Sequence, residues 1–121
     1  MLLYKTILIS LCLVSFPCLA GEWTDEDTNW QLGYTALLIA DCAQTRYGAS
    51  HPKQFEEANP ILGKHPSKGK IDNTCLAVGL GHFGISYILP KDFRRLWQFG
   101  SIVIEATVVF HNASIGAKLE F

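Results

Sequence analysis

Hydrophobic and polar residues follow one another along the chain in a pattern that predicts three helices. Apolar stretches of about 15 residues cover 31–43, 75–89 and 96–110, which is the length of a short helix rather than a strand. Polar or small residues recur within each stretch at spacings of three, four and seven, so they share one helix face. The segment 51–70 between the first two stretches holds three prolines and two glycines, which excludes a continuous helix there. The pattern predicts an all-α chain with one long Pro/Gly-containing loop.

Capping and breaking residues set the predicted helix ends. Thr24 followed three residues later by Asp27 is typical of a helix start, so the first helix should run from about 25 to 47 and close at Gly48. The second should run from 70 or 71 to 89, where Pro90 stops it, and the third from 91 or 92 to about 112–114. The alternation of apolar and polar residues after 114 favours a short extended tail.

The first 20 residues have the composition of a secretory signal. Lys5 precedes an apolar stretch, and a site of small residues ends at Ala20. Cleavage after Ala20 would leave residues 21–121 as a single three-helix domain in the inner membrane or periplasm of a bacterium. Two alternatives stay open at this point: an uncleaved N-terminal anchor, and lipid attachment at Cys18.

Cysteine content and charge narrow the classes of function. Loss of the leader would leave Cys42 and Cys75, and neither lies in a C-x-x-C pair, so a zinc ribbon or thioredoxin-type site is not indicated. A disulfide between the two helices and two buried free thiols both fit the sequence. The net charge is −1, which gives no reason to expect a nucleic acid partner.

The distribution of polar residues favours a membrane-embedded bundle. Each predicted helix carries a polar or small stripe backed by apolar surface, and such stripes meet inside bundles in lipid, whereas a soluble bundle would show charged outer faces. The basic segment 46–70 would then face the cytoplasm. Each apolar stretch is shorter than a usual span, so a periplasmic soluble helical domain stays as the alternative. Lipid is the expected partner, and the small-residue stripes also suit a homo-oligomer.

A glycine motif in the second apolar stretch has a structural interpretation. Residues 79–84, GLGHFG, match the spacing of the dinucleotide fingerprint G-x-G-x-x-G. That fingerprint needs a preceding strand and a helix that opens at its glycines, whereas these residues lie inside a helical pattern that Pro90 ends. We therefore interpret Gly79 as part of a helix packing face and expect no dinucleotide ligand.

One ionisable residue lies near the centre of each predicted helix: Asp41, His82 and Glu105. A charge at mid-bilayer costs about 3 kcal/mol, so such residues face the bundle interior. The simpler hypothesis is a buried hydrogen-bond network that fixes the helix register. The alternatives are a proton or ion path, and a divalent-metal or hydrolytic site. No other cofactor is expected.

Further polar residues surround this predicted centre. They are Gln44, Thr45 and Asn112, which would hold the central three in place, and the loop residues Glu57 and Asn59. Asn59 precedes a proline, which favours a turn. The loop hypothesis has Glu57 and Asn59 fold back over the end of the bundle, with Arg46 paired to Glu57.

Several strings of residues also carry a family resemblance. They are Asp41-x-x-Gln44-Thr45-Arg46, Glu57-x-Asn59-Pro60-x-Leu62-Gly63-x-x-Pro66-Ser67, Leu89-Pro90, and Arg94-Arg95-x-Trp97-Gln98 with Glu105 and Asn112. In these strings, which cover nearly all of the chain after the leader, the protein resembles a group of small uncharacterised proteins of phages and Gram-negative bacteria. It is more loosely similar to a broader group of bacterial multi-helix membrane proteins. The resemblance implies a fold and a location without a reaction.

The sequence as a whole predicts a small integral inner-membrane protein with a structural, accessory or interaction role. The alternative from another class is an intramembrane metal-binding or hydrolytic enzyme that uses Asp41, His82 and Glu105. A secreted periplasmic helical domain is the third reading.

Overall fold

The computed structural model describes residues 20–121, which form three helices and their connections. Helix α1 comprises Asp25–Ser50, α2 comprises Lys68–Ile88 and α3 comprises Lys91–Ser114, and this range contains no strand. The predicted all-α fold with three helices is therefore confirmed. The predicted leader lies, apart from Ala20, outside the described residues.

Helix α1 begins where the sequence predicted and ends later. The Thr24 hydroxyl accepts from the Asp27 amide at 3.2 Å, and the Asp27 carboxylate accepts from the Thr24 amide at 2.9 Å, so a capping box forms. At the other end the predicted closure at Gly48 is wrong by two residues. The His51 amide donates to the Gly48 carbonyl at 3.0 Å, and this bond holds the last turn as far as Ser50.

Helix α2 begins two residues before the predicted start. The Ser67 hydroxyl accepts from the Lys70 amide at 3.2 Å, and this N-cap offsets the poor helix propensity of Gly69. Helix α2 ends just before Leu89 and Pro90, and α3 starts at Lys91. The proline therefore ends one helix and precedes the next, as predicted.

Helix α1 packs against both of the others. Near the ends of α1 and α3 the Gln44 amide donates to the Val109 carbonyl at 3.1 Å. Near their starts the Gln98 amide donates to the Asp27 carbonyl, so these two helices run parallel. Helix α2 runs antiparallel to α1, and a disulfide joins Cys42 to Cys75 with the Cα atoms 6.4 Å apart. Of the alternatives that the sequence left open for these cysteines, the structure contains the disulfide.

The C-terminal tail after α3 folds back onto α1. The Glu120 amide donates to the Ala43 carbonyl at 3.0 Å, and the Glu120 carboxylate accepts from the Ser50 hydroxyl at 2.9 Å. Lys68 at the start of α2 pairs with the same carboxylate. The tail thus links the end of α1 to the start of α2.

Polar side chains dominate the interior, and large hydrophobic side chains dominate the surface. The buried polar and charged residues are Asp27, Gln31, Gln44, His82, Ser86, Arg94 and Gln98, and the buried hydrophobic ones are Tyr34, Leu38, Ala43, Leu62 and Ile71. Twenty large hydrophobic side chains of the described range are exposed, among them Leu96 at 69% and Phe110 at 74%. This is the reverse of the usual distribution in water-soluble domains.

The prediction of membrane-embedded helices is not supported by the helices themselves. Within residues 20–121, none combines the length and the apolar character needed to cross a bilayer. The physical reason is that the polar stripe of each helix interrupts its apolar stretch.

Candidate functional site

A buried arginine organises one end of the bundle. Arg94 is fully buried, and its guanidinium donates to the Asp27 carboxylate at 2.9 Å. It also donates to backbone carbonyls from two parts of the chain, namely those of Gly21, Glu22, Ser86, Tyr87 and Leu89, at 2.7–3.3 Å. All the donors of a guanidinium are used in this way. Arg94 therefore joins the segment before α1 to the end of α2.

Asp27 is the counterion of this centre. Burial alone would raise the pKa of its carboxyl group, but the hydrogen bonds from Thr24 and Arg94 outweigh burial and lower the pKa. The backbone carbonyl of Asp27 accepts from the Gln98 amide at 3.1 Å. One residue thus caps α1, neutralises Arg94 and contacts α3.

His82 lies in an aromatic stack at the next level of the bundle. Its ring centroid is 3.5 Å from that of Tyr34 and 5.1 Å from that of Trp97, with both pairs stacked. Its Nδ1 lies 3.1 Å from the Gln31 Oε1, and its Nε2 is buried with no hydrogen-bond partner among residues 20–121. Because burial disfavours the charged ring, the pKa of His82 falls to about 4. His82 is therefore neutral at physiological pH.

Asp41 and Glu105 form a second centre further along α1. Burial raises the pKa of Glu105 to about 7, and the charge of Asp41 adds to this effect. Burial and the charge of Glu57 raise the pKa of Asp41, whereas a hydrogen bond of 3.0 Å from the Asn112 amide opposes the rise. Burial and the charge of Asp41 therefore favour the protonated form of Glu105.

Tyr34 lies between these two centres. Its ring stacks on His82. Burial, together with the charges of Glu105 and Asp41, raises the pKa of its hydroxyl to about 12. Tyr34 therefore contacts His82 directly, and the pKa of its hydroxyl depends on the charges of Asp41 and Glu105.

The predicted three-residue centre is consequently divided. His82 is at the level of Gln31 and Tyr34, seven to ten residues before Asp41 along α1, which corresponds to about 10–15 Å of helix. In residues 20–121 no three or more His, Cys, Asp or Glu side chains are grouped so that they would hold a metal ion. The geometry instead gives a neutral stacked histidine and a separate carboxyl pair.

The loop contributes to the carboxyl centre through Glu57. A small cavity of about 60 Å³ between the loop and the ends of α1 and α3 is lined by residues that include Gln44, Thr45, Glu57 and Asn112. Glu57 therefore folds back towards Thr45, as the loop hypothesis expected. The side-chain oxygen of Asn59 instead accepts from the backbone amide of Ile61 at 3.0 Å, and the backbone amide of Asn59 donates to the Glu57 carboxylate at 2.8 Å. Asn59 therefore shapes the turn and does not line the cavity.

Arg46 has a different partner from the predicted one. Its guanidinium donates to both oxygens of Asp72, at 2.5 and 2.6 Å, and not to Glu57. This pair lies at one end of an apolar groove of about 660 Å³ between α1 and α2, which is lined by residues that include Leu38, Cys42, Cys75 and Phe83. The pair therefore links the last turns of α1 to the first turns of α2, next to the loop that connects them.

Sequence reasoning overlooked Arg94 and Asp27 as interior residues. It named Arg94 and Arg95 only in one of the strings that carry the family resemblance. A signal was present, because Arg94 lies four residues before Gln98 and therefore continues the polar stripe of α3. Arg95 is one residue further round the helix and pairs with the exposed carboxylate of Glu26.

Comparisons of the chain with protein-family models, with curated proteins and with solved structures found no match. The geometry and chemistry of its own residues are therefore the basis for a functional conclusion.

Proposed function

We propose that the protein is an exported accessory protein of the bacterial inner membrane that works by binding through its apolar exterior rather than by catalysis. The observation that carries this proposal is the reversed distribution of side chains. Polar groups bond to one another inside the bundle, while twenty large hydrophobic side chains of residues 20–121 are exposed.

The size of the exposed apolar surface supports a binding role. Burial of a side chain such as Leu or Phe is worth about 1.5–3 kcal/mol, so covering a third of the exposed set would rival the whole stability of a small domain, about 5–15 kcal/mol. Monomeric soluble proteins seldom leave contiguous apolar patches above a few hundred Å² uncovered. A lipid surface or a membrane-protein partner would provide the missing cover.

The disulfide supports export. Cys42 and Cys75, which are 33 residues apart in sequence, join two helices through a disulfide, and such bonds form and persist in oxidising compartments. A secretory leader that ends at Ala20, as the sequence predicts, would deliver the chain to the periplasm. The disulfide and the predicted leader both favour the periplasmic side of the inner membrane.

The competing enzymatic hypothesis receives less support from the geometry. It required Asp41, His82 and Glu105 to act together, and His82 instead stacks on Tyr34 at another level of α1. The two carboxyl groups alone provide an acid and a base without a neighbouring nucleophile among the groups they contact. A binding role requires none of these residues to react.

Sedimentation of membranes at neutral pH and moderate ionic strength, combined with thiol labelling and mass measurement of a C-terminally tagged chain, tests the proposal. We expect the chain in the pellet, with a mass that lacks residues 1–20 and with its cysteines protected from alkylation until reductant is added. Release into the supernatant would contradict membrane binding and favour the periplasmic soluble domain. Cysteines that react without reductant would contradict export.

A set of surface variants tests whether the apolar exterior is responsible. The triple variant Leu80→Ser, Leu96→Ser and Phe110→Ser changes side chains that are 63%, 69% and 74% exposed, so it should leave the helical circular dichroism unchanged while moving the chain from pellet to supernatant. Lys53→Ser in the exposed loop is the control and should stay in the pellet. Retention of the folded triple variant would exclude this surface as the binding surface.

A further inference from the structure

The residues just after the predicted cleavage site are bound tightly to the fold. We call Gly21, Glu22, Trp23 and Thr24 the N-terminal strap. The carbonyls of Gly21 and Glu22 accept from the Arg94 guanidinium at 2.8 and 3.0 Å. Because Arg94 is fully buried, these bonds hold the strap against the turn between α2 and α3.

Trp23 strengthens the attachment of the strap. Its ring lies 5.6 Å from Phe83 and 6.1 Å from Tyr87, centroid to centroid, and the Arg94 guanidinium lies 5.1 Å above it. Its indole nitrogen donates to the Thr28 hydroxyl at 2.8 Å. The strap is therefore fixed to α1 and to the end of α2 at the same time.

Gly21 shows how close the strap lies to α3. A Cβ atom added at Gly21 would be 3.2 Å from the amide nitrogen of Lys91 and 3.3 Å from its Cβ. That spacing leaves no room for another chain between the strap and the first turn of α3. A protease has to surround the residues on both sides of the bond it cleaves, and in the closed fold Lys91 and Arg94 occupy that space.

We propose that the closed strap protects the Ala20–Gly21 bond, so that leader removal has to precede closure, and a chain that closes first keeps its leader as a membrane anchor. The reaction is hydrolysis of one peptide bond, in which water leaves a carboxylate on Ala20 and an amine on Gly21. Cleavage of a folded chain then follows the population of the open strap. The inference rests on the proposed export and adds an order of events to it.

The test uses the purified, oxidised chain 1–121 in detergent with a bacterial signal peptidase, and mass spectrometry records the appearance of the chain that starts at Gly21. A peptide of residues 10–30, which lacks α2 and α3, gives the intrinsic rate for each variant. We expect wild-type chain to be cut at least tenfold more slowly than its peptide. Arg94→Gln should remove most of this protection, and Arg95→Gln, which alters a neighbouring exposed pair, should retain it.

A second variant keeps the proposal testable where Arg94→Gln fails to fold. Gly21→Val puts a branched side chain where even a single Cβ atom would lie 3.2 Å from the Lys91 amide nitrogen, so it should displace the strap and accelerate cleavage of the full chain with unchanged helical circular dichroism. Equal rates for wild-type chain and peptide, or protection that survives in whichever of the Gly21→Val and Arg94→Gln chains folds, would overturn the proposal. Failure of the peptide itself to be cut after Ala20 would instead show that the predicted leader site, and with it the proposed route of export, is wrong.

Discussion

Replacing Arg94 with methionine tests the centre around which one end of the interior is built. The guanidinium is fully buried, and its ion pair with Asp27 measures 2.9 Å. Removing one partner of such a pair costs about 3–5 kcal/mol, because the other charge stays buried without its counterion. We expect Arg94→Met to lower the free energy of unfolding by this amount, from a total that is about 5–15 kcal/mol for ordinary domains.

A double-mutant cycle separates the ion pair from the other bonds of Arg94. Asp27→Asn keeps an oxygen that accepts from the Thr24 amide but removes the charge. In that background no unpaired carboxylate is left, so Arg94→Met should cost about 2 kcal/mol less than in the wild type. The remaining cost then reports the backbone carbonyls that Arg94 no longer satisfies.

Arg95→Met is the matched control for this cycle. Arg95 pairs with Glu26, whose side chain is 60% exposed, and approaches the Asp27 carboxylate only to 4.0 Å, and pairs of a partly exposed arginine like this one contribute at most about 1 kcal/mol. The assay is guanidinium chloride unfolding at pH 7, followed by far-ultraviolet circular dichroism with the disulfide intact. Equal losses for Arg94→Met and Arg95→Met, or a cycle that is additive within about 0.5 kcal/mol, would refute the reasoning.

Three other predictions concern the two titratable centres and the disulfide. His82 has a folded pKa of about 4 against 6.5 in the unfolded chain, so its own contribution to stability falls as pH falls through this window, by up to about 1.4 kcal/mol per pH unit, and the difference in free energy of unfolding between wild type and His82→Phe should change with this slope in urea unfolding between pH 4 and 7. Glu105 has a folded pKa of about 7 against 4.5, so its own contribution to stability falls as pH rises through that window and opposes that of His82, and Glu105→Gln should stabilise the chain relative to wild type at pH 8 by about 1–2 kcal/mol; a destabilised Glu105→Gln chain would contradict the raised pKa. The Cys42→Ser, Cys75→Ser double variant loses a cross-link between residues 33 apart in sequence and should lose up to about 4 kcal/mol, and a thermal midpoint that does not fall would show that the bond constrains little.

Local signals made the helices predictable from the sequence. The capping box of Thr24 and Asp27 and the break at Pro90 act over one helical turn, so their effect does not depend on distant residues. Gly48 misled the prediction because its helix end is decided by a later residue, His51, whose amide bonds back to it. The capping box and the proline were therefore found, whereas the Ser67 N-cap of α2, which acts over an equally short range, was overlooked.

The candidate site was harder to predict because it depends on the register between helices. Asp41, His82 and Glu105 were placed together because each lies near the middle of its own helix. The Cys42–Cys75 bond fixes α1 against α2 with Asp41 beside the disulfide, and His82 is then seven residues, about 10 Å, further along α2. Had the disulfide been known, this separation would have followed from the sequence.

Arg94 was not identified as a buried residue for a different reason. Consecutive helical residues point about 100° apart, so Arg94 and Arg95 face different surroundings although they are chemically identical. The stripe that passes through Gln98 identifies the inward member of the pair. Its partners at Gly21 and Glu22 lie more than 70 residues away in sequence and carry no side-chain signal, because they bind through backbone carbonyls.

The small hydrophobic interior connects the stability of the chain to its proposed binding role. Only five hydrophobic side chains of the described residues are buried, so apolar burial inside the bundle contributes little, and the Arg94 centre and the disulfide hold opposite ends of α1 in its place. A surface that fits the arrangement of these side chains on the folded bundle, and binds the unfolded chain more weakly, would stabilise the fold by mass action. Under the proposed binding role, the polar interior fixes how the helices meet and the covered exterior would supply the apolar burial that the interior lacks.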